Sequence, residues 1–359
     1  MTPAVAVATG PRILIIKLGA VGDLVHSLPV AHTLRRRLPD AFLAWAVEDR
    51  GAELLQGNPD LNEVLVLARR QLRGMAAMGV LRRFGAELAA RRFTAVIDLH
   101  NLFKTGLLAR ASGAPVRIGF DKWRELNFLF MTQTVRPPPQ HRHAVEKSLA
   151  LLQPLGIQTA DWEVAFPIPW SDADAARIEL FLRQNSLNVP GGPLAINPGA
   201  AWPSKRWPPE RYARVADELH QRHEIPVVIL WGPGERRLAE AVAAAMTRPV
   251  TLACETTLKQ AAALLARCRL LISGDTGPLH LAAAVGTRTV ALFGPSHPER
   301  NGPYGSGHRI VASPRPPATH WQVKERGDHW MAAITVERVV AAAEEQLERK
   351  ENGDRSIFG

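Results

Sequence analysis

One unit recurs along this chain. A short β-branched and aliphatic run leads into a glycine-containing turn, then into an Ala/Leu/Arg-rich stretch of helical period. Arg12–Lys17 (RILIIK) reads as a buried strand, followed by a helix over Leu24–Leu38. Phe42–Val47, Val64–Leu67 and Ala95–Leu99 read as further strands, and Ala77–Arg92 as a helix. Strands apolar on both faces need cover on both, and strands alternating with helices run parallel. The pattern stops at Val164–Asp174 (VAFPIPWSDAD). There Pro167 and Pro169 break regular structure, and Ser171 or Asp172 can cap a new helix running to about Gln184. It then restarts, with strands at Leu194–Asn197, Pro226–Trp231, Val250–Leu252, Leu270–Ser273 and Thr289–Phe293. Helices are expected at 209–223, 234–247, 257–267 and 277–285, with an amphipathic helix over 335–350 and a frayed end beyond it. The expected fold is α/β: two Rossmann-like parallel-sheet domains, 11–168 and 172–334, facing across a cleft. Helix 335–350 is expected to pack back on the first domain. Ligands of such sheets sit at the carboxyl ends of the strands.

The length of 359 residues agrees with two domains. Two cysteines, Cys254 and Cys268, exclude a disulfide scaffold and a zinc-finger array and fit a reducing compartment. No apolar run reaches the ~18 residues of a membrane span, and residues 1–10 lack the basic start and long apolar core of a targeting segment. Any membrane contact is therefore expected to be peripheral. The net charge is +10, which favours anionic partners. Residues 1–165 hold 21 Lys+Arg against 14 Asp+Glu, and 69–92 hold seven arginines against one acid, Glu87.

Three loops carry chemistry. Lys17-Leu-Gly19-Ala-Val-Gly22-Asp23 follows the first strand. Its glycines let backbone approach a ligand. Asp23 reads equally as a helix cap and as a strand-end carboxylate suited to general-base work, and the two readings are compatible. His26 is expected to be packed or capping. The second loop, Asn197–Pro208 (NPGAAWPSKRWP), brings small residues together with Ser204, Lys205 and Arg206. It reads as a phosphate loop or as a solvated basic loop. The third, Ser273–His280 (SGDTGPLH), joins an apolar strand to an Ala-rich helix. Thr276, Gly277 and the helix start suit a diphosphate, Asp275 can cap the helix, and His280 lies one turn in. Glu235, after Trp231-Gly-Pro-Gly234, can accept from a ribose or serve as a first-turn acid. Asp172-x-Asp174 can hold a divalent metal, but it stands at a helix start, where capping is expected. The histidines lack metal-ligand spacing, so no metal and no cofactor are expected.

Together, KLGAVGDLVHSLP, PGAAWPSKRWP, WGPGE and SGDTGPLHLAAAVGTRTVALFGPSHPERNGPYG resemble the ADP-heptose:lipopolysaccharide heptosyltransferases, glycosyltransferase family 9. The resemblance spans about residues 12–347, and its D-T-G-x-x-H block with the FGP follow-on is the most specific part. DLHNLFKTGLLARASG, GFDKWREL and HRHAVEKSL look more like heptosyltransferase I, whereas S-K-R-W-P also occurs in the heptosyltransferase II-like branch. The resemblance implies a GT-B fold and metal-independent, inverting transfer of heptose from ADP-heptose to a Kdo residue on lipid A. It puts the base on Asp23 and assigns Lys205 to the catalytic charge. It implies donor contacts from Gly22, Ser204, Lys205, Glu235, Asp275, Thr276, Gly277 and His280. For the acceptor it adds Lys104, Arg124, His143 and Lys147 to Arg69, Arg70 and Arg73, which the charge pattern singles out. Arg82, Arg83, Arg91 and Arg92 are read as a solvated helix face. The location implied is peripheral, on the cytoplasmic face of an anionic inner membrane. Alternatives are transfer to a heptose acceptor, or another nucleotide sugar on the same scaffold. A Rossmann oxidoreductase is opposed by the missing G-x-G-x-x-G and its following acid. Nucleic-acid binding is opposed by the lack of a motif and of aromatic interleaving in 69–92, where Phe84 stands alone.

Overall fold

The computed structural model describes residues 10–69, 76–121, 124–314 and 329–348. The chain divides into two compact units, Met1–Pro169 and Trp170–Gly359. In the first, β1 (Arg12–Ile16), β2 (Phe42–Glu48), β3 (Glu63–Leu67), β4 (Ala95–Asp98), β5 (Val116–Phe120) and β6 (Gln133–Val135) form one sheet. All pairs are parallel, in the order β3-β2-β1-β4-β5-β6. The strand order reverses between β1 and β4, which makes their carboxyl ends the switch point where ligands of doubly wound sheets bind. Leu14, Ile16, Ala44, Ala46 and Val96 point into one core with Phe84 and Leu88 of helix Ala76–Ala90.

Two sequence expectations change here. The single helix over Leu24–Leu38 is two helices, Val21–Val25 and Leu28–Arg37. Pro29 stands in the first turn of the second, where its missing N–H costs nothing, and so sets a new start rather than continuing the old helix. Strands β5 and β6 were not anticipated. Arg117 interrupts the apolar run of β5, and β6 is a three-residue edge strand with two exposed positions. Edge strands need only one apolar face and leave a weak signature.

In the second unit, β7 (Leu194–Asn197), β8 (Val227–Ile229), β9 (Val250–Leu252), β10 (Leu270–Gly274), β11 (Thr289–Phe293) and β12 (His308–Ala312) form a second parallel sheet. Its order is β12-β11-β10-β7-β8-β9, so the same winding recurs with the switch point at β7 and β10. Two doubly wound α/β units in one chain make this the GT-B fold class. The edge strand β12 escaped the sequence reading for the reason given for β6.

Helix Val336–Glu348, expected to pack on the first domain, has its apolar face in the core of the second unit. Val336, Val339, Val340, Ala343 and Leu347 recur at helical spacing and lie in the second unit's core with Leu270, Val290, Leu292 and Val311. Polar ties fix it in the same place: Arg309 Nε to Glu345 at 2.6 Å, and Arg288 Nη1 to the Gln346 carbonyl at 2.8 Å.

Ser171 caps helix Asp172–Gln184, its hydroxyl accepting from the Asp174 N–H at 3.1 Å. Asp174 Oδ2 accepts in return from Ser171 N–H (3.1 Å) and Oγ–H (2.7 Å), and its Oδ1 from Gln260 Nε2 at 2.9 Å. These bonds, Ser171's foremost, hold the Asp174 carboxyl below its ordinary value. Asp174 thus completes a capping box, and Asp172 is a first-turn acid of the same helix. Among the described residues no helix is long and apolar enough to cross a membrane.

Candidate functional site

Both sheets end their central strands in polar loops, and the site residues gather there. In the second unit β7 finishes an apolar run on Asn197, and β10 finishes on Ser273 and Gly274. The Asn197 side chain is 1% exposed, and its Nδ2 donates to Ser273 Oγ (3.0 Å) and Thr276 Oγ1 (3.1 Å). One buried amide therefore joins the loops after β7 and β10. Thr276 is the N-cap of helix Gly277–Ala284, yet its hydroxyl makes no cap bond and turns into this cluster. The N-terminal N–H groups of the helix lack a side-chain cap, the arrangement that suits an anion.

The Asp275 carboxylate pairs with side chains rather than with the backbone N–H groups of the helix it was expected to cap. Its Oδ2 accepts from Lys205 Nζ at 2.6 Å, and its Oδ1 lies 3.4 Å from His280 Nε2. Burial alone would raise this carboxyl. The His280 hydrogen bond and the Lys205 ammonium outweigh it and hold the group well below the usual carboxylate range. Lys205 ends the short 3-10 turn Pro203–Lys205, in which Ser204 is buried. Arg206, its neighbour, folds back on its own loop, Nε donating to the Ala200 carbonyl at 2.9 Å. The Glu235 carboxylate lies against Gly199, in the space where a Cβ would stand. Glu235 also accepts from the Gly232 N–H at 3.3 Å, so the loops after β7 and β8 meet through one half-buried acid. Tyr212 is fully buried in the core of this unit, and burial pushes its phenol up.

In the first unit, Asp23 is exposed at the third position of helix Val21–Val25, beside Gly22. Its Oδ2 accepts from the Ala20 N–H at 3.3 Å, so it caps the helix while its carboxylate faces water. Lys17 Nζ donates to the Leu99 carbonyl at 3.1 Å, which ties the end of β1 to the end of β4. His26 is buried, its ring centroid 4.9 Å from that of His143. His143 Nδ1 accepts from the Val145 N–H and caps helix Ala144–Leu149, and Lys147 Nζ donates to the Arg142 carbonyl at 2.6 Å.

Two of the acceptor candidates converge. Lys104 Nζ lies 2.8 Å from Glu48 Oε1, and Arg69 Nε 3.6 Å from Glu48 Oε2. Arg70 and Arg73 lie outside the described residues, as does the side chain of Arg124. Arg82, Arg83 and Arg92 are exposed, as read from the sequence. Arg91 is not merely solvated: it pairs with Glu63 at 2.6 Å and with Glu87. The sequence reading missed Asn197, Ser273 and Glu48 as site-building residues. The three shared one signal, a polar residue at the last turn of an otherwise apolar strand.

Comparison with known proteins places these loops in a family context. The profile of glycosyltransferase family 9 (heptosyltransferase) matches residues 81–330. Lipopolysaccharide heptosyltransferase 1 of Pseudomonas aeruginosa is 30% identical over 313 residues, covering 85% of this chain and 84% of that protein. Lipopolysaccharide heptosyltransferase 2 of Escherichia coli is also 30% identical, over 311 residues, covering 84% of this chain and 87% of that protein. The solved structure of the Escherichia coli ADP-heptose lps heptosyltransferase II superposes with a TM-score of 0.73 at 25% identity, covering 94% of this chain and 98% of that one.

Proposed function

The chain belongs to glycosyltransferase family 9, the heptosyltransferases, and from that membership we propose that it transfers L-glycero-D-manno-heptose from ADP-heptose to a Kdo residue of lipid A during assembly of the lipopolysaccharide inner core. The observation that carries the donor half is the Lys205–Asp275–His280 cluster at the switch point of the second sheet. It supplies a positive charge, a fixed carboxylate and an adjacent helix start with uncapped N–H groups. Those are the parts a nucleoside diphosphate sugar needs.

In this reading Asp23 takes the proton from the attacking acceptor hydroxyl. That oxygen bonds to the heptose anomeric carbon from the face opposite the phosphate, so configuration inverts. The carbon–oxygen bond to the diphosphate breaks and ADP leaves with the electron pair. Lys205, Ser204 and the amides at Thr276 and Gly277 stabilise the charge growing on the diphosphate. Glu235 binds the ribose, and Asp275 and His280 hold the sugar side of the donor, with Gly22 giving backbone room beside the base. No metal takes part. Full transfer activity is therefore expected after exhaustive EDTA treatment, and a loss restored by a divalent cation would reject this.

The acceptor half rests on the basic first unit. Lys104, His143, Lys147, Arg124 and the arginines at 69, 70 and 73 receive Kdo carboxylates and lipid A phosphates. A lipid-borne acceptor brings the protein to the cytoplasmic face of the inner membrane as a peripheral enzyme. The triple variant Arg69→Ala/Arg70→Ala/Arg73→Ala should raise the acceptor KM and leave ADP-heptose affinity unchanged, whereas Arg82→Ala/Arg83→Ala should do much less. Equal effects of the two sets would mean diffuse charge rather than a site.

A second reading, transfer to a heptose acceptor, is favoured by the S-K-R-W-P run and by the equal identity to a type 2 relative. Incubation with ADP-heptose and either Kdo-lipid A or its heptosylated form, read by product mass, tests both. Extension of the first acceptor supports the main reading, and extension of the second alone replaces it.

A further inference from the structure

We infer that Glu48 is the positioning residue that presents Lys104 and Arg69 to the acceptor's anionic oxygen group, an inference that rests on the acceptor reading above. Glu48 ends β2 and is 8% exposed, so its carboxylate is largely withdrawn from water. Such a group needs partners, and each of its oxygens faces a cation from a different loop. Oε1 accepts from Lys104 Nζ at 2.8 Å, from the helix Phe103–Ala111 that follows β4. Oε2 lies 3.6 Å from Nε of Arg69, just past β3. The Glu48 N–H donates to the Leu18 carbonyl at 3.0 Å, in the loop that leads from β1 to Asp23. One residue thus ties together the strand-end loops of β1, β3 and β4.

The two cations are not consumed by this. Their side chains stay 35% and 55% exposed, and among the described residues Lys104 Nζ has Glu48 as its one hydrogen-bond acceptor. An ammonium has three donors, so two remain for a ligand. Without Glu48, two long like-charged side chains would repel and spread over many rotamers. With it they are held together beforehand, and the three groups sum to a single positive charge. That arrangement fits a carboxylate or a phosphate oxygen of the acceptor, and places no demand on the donor.

The test is steady-state kinetics on the full chain. It compares wild type, Glu48→Gln, Lys104→Ala/Arg69→Ala, and the combination of all three, with Kdo-lipid A and with Kdo-lipid A stripped of its lipid A phosphates. Glu48→Gln should raise the acceptor KM about tenfold, the scale of one lost charge-assisted bond, with the ADP-heptose KM unchanged. Added to the Lys104→Ala/Arg69→Ala variant, it should raise the acceptor KM no further. A rise that persists with the stripped acceptor assigns the ligand as carboxylate, and one that vanishes assigns it as phosphate. An unchanged acceptor KM, an additive rise in the combined variant, or an equal rise in donor KM would overturn the positioning role. If Glu48→Gln does not fold, Glu48→Asp keeps the charge at shorter reach and should give a smaller rise, again confined to the acceptor. A wild-type protein that transfers to no lipopolysaccharide acceptor refutes the functional reading instead, which keeps the two failures distinct.

Discussion

Asp23→Asn should lower turnover by roughly 100-fold or more while leaving folding and donor binding intact, the usual scale for loss of a general base. The substitution is well matched to the geometry. Asp23 is exposed, and its one described side-chain bond is Oδ2 to the Ala20 N–H. An asparagine carbonyl can accept that bond, so the cap survives and only basicity is lost. Thermal unfolding should therefore give a midpoint close to wild type, and ADP titration calorimetry an unchanged affinity. Single-turnover transfer, which isolates the bond-forming step, should carry the whole defect. Near-normal turnover would leave Asp23 as a helix cap and nothing more.

Lys205→Ala should combine a stability loss of about 3 kcal/mol with ADP binding weaker by roughly 10- to 100-fold. The first effect arises because Asp275, 8% exposed, would keep its charge in a buried place without the ammonium 2.6 Å away. Breaking a buried pair from one side costs about 3–5 kcal/mol, and the low end applies because His280 remains. The second follows from the loss of a charge-assisted bond to a diphosphate. Adding Asp275→Asn separates them: stability should recover and donor affinity should not. The pH dependence has a definite sign. Asp275 is held below its ordinary value in the folded protein, so its contribution is present above the unfolded carboxylate value of about 4 and is lost as pH falls through the lower folded value. The stability gap between wild type and Lys205→Ala should be widest near neutral pH and narrow below about pH 4, measured by denaturant unfolding across that range. A variant equal to wild type in stability at neutral pH would mean that the pair contributes no net energy.

The two parallel sheets were legible because their inner strands are apolar on both faces and alternate with helices. Leu194–Asn197, Val250–Leu252 and Thr289–Phe293 were bounded to the residue. What escaped was β5, whose apolar run Arg117 interrupts, and the edge strands β6 and β12, which are only partly buried. The loops bearing Asp23, Lys205 and Asp275 were legible from glycine and charge at strand ends. Their internal wiring was not. Asp275 pairs with Lys205, seventy positions earlier in the chain, as well as with His280 in the helix beside it, and Glu48 gathers cations from two other loops. Such pairings depend on which strands lie side by side, and sequence proximity carries no trace of them. The terminal helix shows the same limit, because its amphipathic period announced an apolar face without saying what would cover it.

That terminal helix also sets a schedule. Domains tend to fold as units while the chain is being made, amino end first. The first sheet and its core are complete by Pro169, but the second core holds Val339, Ala343 and Leu347 alongside Leu194. Its central strands must therefore wait, with part of their apolar surface uncovered, until the residues of Val336–Glu348 have left the ribosome. A chain released early would carry a finished first unit and an open, adhesive second one, a product for chaperones and proteases.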